Sequence, residues 1–122
     1  MSSDLLAKIE RIVQSKLDFN ESQIGTLKSF FKGYKVNMWI YPGVIKRKFN
    51  IPIIDVYALL DLLAKENILE NYYELWCSHC QKSNGSVNTF NQLPNSFRCE
   101  MCLEELPTLE NTVLIYKVIK DE

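Results

Sequence analysis

Apolar residues recur at helical spacing through the first half of the chain. Leu5, Leu6, Ile9, Ile12, Val13 and Leu17 lie on one face of residues 4–17, with Lys8, Glu10, Arg11 and Gln14 opposite, so a helix capped by Ser3 or Asp4 is expected there. A second helix is announced by its start. Asn20 is placed as N-cap, Gln23 follows at the capping-box position, and Phe19 and Ile24 have the spacing of a hydrophobic staple. Ile24, Leu27, Phe30 and Phe31 carry it to a stop at Gly33. The pattern then shortens. Residues 36–41 read as a strand closed by Pro42-Gly43, residues 44–49 as a short helix and residues 52–67 as a longer one, with Pro52 in its first turn. Residues 68–76 read as extended, since Tyr72, Tyr73, Leu75 and Trp76 favour strand.

Helix, short strand, short helix, tight turn, long helix and strand follow one another over residues 20–76. The stretch VIKRKFNIPIIDVYALLDLLAKENIL resembles the winged helix-turn-helix superfamily in the spacing of Val44, Phe49, Ile51, Val56, Leu60, Leu63 and Ile68. The resemblance implies DNA binding, with the second helix of the pair entering the major groove. In the register of ordinary winged helices, Ile53, Ile54, Tyr57, Ala58 and Asp61 would face that groove. Base readout calls for amide, hydroxyl or cationic side chains, and this face is apolar with one carboxylate. The wing also looks abbreviated, because only nine residues separate Asn67 from Cys77.

The second half is organised by its cysteines. Cys77 and Cys80 form one C-x2-C pair, Cys99 and Cys102 another, with eighteen residues between the pairs. This spacing reads as one zinc ion held by four thiolates. Two disulfides would require export, for which there is no signal, and iron–sulfur proteins use other spacings. Strands are expected at 86–90, 96–98 and 112–119, with 91–95 turning between the first two. Two knuckles with a third strand resemble the zinc ribbon family. The expected fold is therefore α+β, with a helical winged-helix-like domain over residues 1–76 and a zinc-ribbon β domain over residues 77–122.

Composition and charge narrow the function. Hydrophobic residues make up 47% and charged residues 24%, as in globular proteins. No apolar run approaches the roughly 20 residues that cross a bilayer, and no signal peptide opens the chain. A cytoplasmic location without membrane attachment is the expectation. Residues 1–76 carry ten Lys/Arg against nine Asp/Glu, and residues 77–122 carry four against six, so neither half is plainly basic. His79 is the only histidine and lies inside the first knuckle, and no phosphate-cradling glycine motif is present. Nothing points to an enzyme.

The helix at 52–67 is apolar on more than one side. Ile53, Ile54, Tyr57, Leu59 and Leu62 are therefore candidates for a protein interface. The leading expectation is a non-catalytic zinc-binding adaptor that docks onto a larger protein assembly through this helix and the acidic ribbon. Winged helices joined to zinc ribbons resemble accessory subunits of nucleic-acid machines, and the same plan would suit a companion of a prokaryotic defence complex. The alternative is a DNA-binding transcriptional regulator that uses Lys46, Arg47 and Lys48 on backbone phosphates. Self-association through the amphipathic N-terminal helix is a third expectation.

Overall fold

A computed structural model describes residues 1–122, and its backbone contacts divide the chain into two compact units. The first comprises residues 1–70 together with 116–122, and the second residues 71–115. The expected boundary at 76/77 thus falls inside a strand, and the last seven residues belong to the helical unit.

In the first unit, α1 spans Ser3–Lys16, α2 Glu21–Lys32, α3 Pro42–Phe49 and α4 Ile53–Lys65. The cap of α1 is Ser2, one residue before the expected pair, and its side chain accepts the N–H of Leu5. The capping box of α2 is complete. Asn20 Oδ1 accepts the N–H of Gln23 and Gln23 Oε1 accepts the N–H of Asn20, each at 2.8 Å. Pro42 starts α3 two residues early, because a proline costs nothing at the first helical position. Asn50 ends α3 in a left-handed conformation with φ 52°, which asparagine tolerates better than most residues.

The core of this unit runs through all four helices. Ile9 and Val13 of α1, Leu27 and Phe31 of α2, Ile45 of α3 and Leu60 of α4 are fully buried. On α4 the buried residues Val56, Leu59, Leu60 and Leu63 form an i, i+3, i+4, i+7 stripe. Leu59 lies in that stripe with no exposed surface, so it is a core residue and not part of an interface.

Strand β1 is Trp39–Ile40, shorter than expected, β2 Leu69–Cys77, β3 Lys82–Val87, β4 Ser96–Arg98, β5 Glu105–Pro107 and β6 Thr112–Val118. One sheet has the order β1-β6-β2-β3, and β4 pairs with β5 in a second. Two expectations are corrected here. The final strand pairs with β1, Trp39 opposite Lys117 and Ile40 opposite Tyr116, so it is not simply a third ribbon strand. Nor is the short 68–76 segment a strand on its own, because β6 lies beside β2 in the sheet.

In the second unit, β3 begins directly after the first knuckle rather than at residue 86, and residues 90–92 form a 3-10 turn. β4 and β5 pair antiparallel, with Phe97 opposite Leu106. Phe97, Leu106, Cys77 and Cys99 make up its buried cluster, with Leu75, Cys80 and Cys102 packed against it.

Candidate metal centre

Each C-x2-C pair sits on a tight backbone turn of the same construction. The N–H of Gln81 donates to the carbonyl of Cys77 at 2.7 Å, and the N–H of Leu103 donates to the carbonyl of Cys99 at 2.8 Å. Gln81 and Leu103 therefore hold equivalent places, four residues after the first cysteine of each pair. Both adopt left-handed backbone, with φ 59° and 60°. Glycine is the residue that fits such a position without strain, and neither knuckle has one there.

The turns bring the four thiols together. All four sulfur atoms lie within 4.8 Å of one another, with Cys77 and Cys99 buried and Cys80 and Cys102 partly so. Cys77 Sγ and Cys102 Sγ are 3.9 Å apart. A tetrahedral ion with metal–sulfur bonds of about 2.3 Å sets its ligands about 3.8 Å apart. A disulfide needs about 2.05 Å, and all four cysteines are free. The donor set thus suits one ion with a closed thiolate shell.

The four thiols differ in their electrostatics. Backbone N–H groups, that of Cys102 first and that of Met101 also, lower the Cys99 thiol to about 6 despite its desolvation. Hydrogen bonding to Cys102 and burial push Cys80 up to about 12. Four such close thiols cannot all ionise unless a cation lies among them.

Two supporting residues escaped the sequence reading. Asn111 is buried, and its Nδ2 donates to the carbonyl of Pro107 at 2.9 Å while its own carbonyl accepts the N–H of Trp76 at 2.8 Å. Asn84 accepts the N–H of Glu100 on its Oδ1 at 3.0 Å, tying β3 to the second knuckle. Neither belongs to a recognisable motif. The sole hint was an asparagine beside Gly85 in an otherwise polar stretch.

The remaining predicted residues lie in the first unit. Ile53 is 40% exposed and Ile54 73%, while Tyr57 and Leu62 are half-buried. Asp61 accepts a hydrogen bond from the hydroxyl of buried Tyr116 at 2.6 Å, so its carboxylate has a structural partner. Lys46, Arg47 and Lys48 are all exposed on the last turn of α3, where cations match the helix dipole. Lys48 Nζ also lies 5.8 Å over the ring of Phe30. His79 is exposed. No helix is long and apolar enough to cross a membrane.

Compared with protein-family profiles, with curated proteins and with solved structures, the chain matches none.

Proposed function

We propose that the protein is a non-catalytic adaptor, stabilised by one structural zinc ion, that docks onto a larger protein assembly. The observation that carries this reading is the exposed start of α4. There Ile53 and Ile54 face solvent beside Pro52, Asp55 and Ala58, with no cation among them. A groove-reading helix would carry hydrogen-bonding or basic groups on that surface. A paired apolar step is better matched to protein.

Zinc is the ion that four cysteines in two C-x2-C knuckles suit best, and four protein ligands leave no position for a reacting water. When bound, it cross-links the two knuckles. The succession α2, β1, α3, α4, β2 and β6 supports a winged-helix reading in which β2 and β6 are the wing strands. The cysteine unit would then be an insertion between them. The second knuckle offers further contact surface, with Met101 69% and Leu103 65% exposed among Glu100, Glu104 and Glu105.

The test is chemical cross-linking of the tagged chain in its native cells, comparing wild type with the double variant Ile53→Glu, Ile54→Glu. The adaptor reading expects one stoichiometric partner, lost in the variant while the fold persists. Duplex DNA titrated at low salt distinguishes the rival. Salt-sensitive binding abolished by Lys46→Glu with Arg47→Glu would replace the adaptor with a DNA-binding regulator.

A further inference from the structure

The polar strand β3 contains an irregularity beside the cysteine cluster. Trp76 pairs with Ser83 and Glu74 with Ser86, so the single residue Leu75 on β2 stands opposite both Asn84 and Gly85. One extra residue in one strand is a β-bulge, a device that re-aims side chains next to functional sites. Gly85 makes it possible, since its φ of 99° lies where residues with a Cβ are strained. The consequence shows in the burial. Asn84 and Val87, three apart, are both partly covered, whereas a regular strand would turn one of them to the opposite side.

Asn84 is thereby turned toward the second knuckle. Its Oδ1 is occupied by the N–H of Glu100, the residue after Cys99, and this fixes which end of the carboxamide is which. The other end, Nδ2, is buried and has no hydrogen-bond partner. A buried amide donor without an acceptor is costly, and native structures rarely retain one. A thiolate is an acceptor, and the bond to Glu100 holds the Asn84 carboxamide beside the residue that follows Cys99.

We propose that Asn84 is a positioning residue of the metal centre, donating its buried Nδ2–H to the metal-bound sulfur of Cys99 while its Oδ1 holds the knuckle through Glu100. The inference rests on the metal-site reading of the four cysteines. A donor to a thiolate withdraws charge from the sulfur and stabilises the ionised ligand without competing for the ion. The bulge, Gly85 and Asn84 then form one unit whose purpose is to deliver that donor.

Cobalt(II) titration of the full chain tests this, because the sulfur-to-cobalt charge-transfer band reports the electron density on the ligating sulfurs. Asn84→Asp keeps the acceptor for Glu100 but loses the donor, whereas Asn84→Leu loses both. Both variants are expected to bind cobalt about 10–100-fold more weakly and to shift the band to longer wavelength. Gly85→Ala, which leaves Asn84 untouched, should weaken binding in the same direction. A wild-type band position in Asn84→Asp would overturn the donor role and leave only the clamp. Wild-type affinity and spectrum in both Asn84 variants would overturn the proposal altogether. Failure of the unsubstituted chain to bind cobalt or zinc would instead remove the metal reading on which it rests.

Discussion

The two units of the chain bury different kinds of side chain. In the helical unit, fully buried aliphatic and aromatic side chains come from every helix, among them Ile9, Leu27, Phe31, Ile45 and Leu60. In residues 71–115 the buried cluster has two apolar members, Phe97 and Leu106, and two cysteines. Burying each of those apolar side chains contributes about 2–3 kcal/mol. Structural zinc binding to small cysteine modules contributes about 10–16 kcal/mol. On the metal reading, the first unit is vulnerable to loss of a core side chain and the second to loss of a ligand.

Removing a thiol should have the largest effect. Cys99→Ser should abolish tight metal binding and melt the β4–β5 pairing, while the helical circular dichroism of α1–α4 persists. Proton competition should act on the same unit. As metal ligands the sulfurs would be thiolates, with fewer protons than in the unfolded chain, so stability from a bound metal is expected to be full at high pH and lost on acidification. A colorimetric zinc indicator should therefore register release as the pH falls.

Next in size is a core truncation. Leu59→Ala should lower the unfolding free energy of the helical unit by about 2–5 kcal/mol, whereas Ile54→Ala on the same helix should change it by less than about 0.5 kcal/mol. Urea denaturation followed by far-UV circular dichroism checks both. Asp61→Ala deprives the buried hydroxyl of Tyr116 of a charged acceptor and should cost about 1–3 kcal/mol in the same assay. Equal costs for Leu59→Ala and Ile54→Ala would mean that α4 is not packed on one stripe.

The smallest effect has an unusual sign. Leu103 is an exposed leucine in left-handed backbone, where glycine removes steric strain but adds freedom to the unfolded chain. Leu103→Gly should leave the thermal stability of the metal-bound unit unchanged or raise it by up to about 1 kcal/mol. A clear loss, measured by calorimetry, would show that the leucine side chain stabilises the knuckle.

Local chemistry was legible in the sequence, and remote pairing was not. The capping box of α2 needs only Asn20 and Gln23, three residues apart, and both of its bonds are present. The two cysteine pairs were equally plain, and they do come together. The apolarity of α4 is plain in the sequence, but the pattern alone does not separate buried Leu59 from exposed Ile53 and Ile54. A helix with apolar residues on several sides reveals its buried stripe only when its neighbours are known. By proximity in the chain β6 reads as part of the cysteine unit, and residues 112–115 do belong to it, while its end pairs with Trp39 and Ile40, over seventy residues earlier. Asn84 was invisible because a bulge breaks the alternation on which strand reading depends.

On the proposed reading, one metal ion holds residues 71–115 and the helical unit stands without it. Amide hydrogen exchange on the full chain, before and after adding a zinc chelator, tests this directly. The amides of Gln81, Cys99 and Leu103 are expected to lose protection on chelation, while those within α2 and α4 keep theirs. Unchanged protection of the knuckle amides in chain shown to be metal-free, or collapse of both units together, would contradict it.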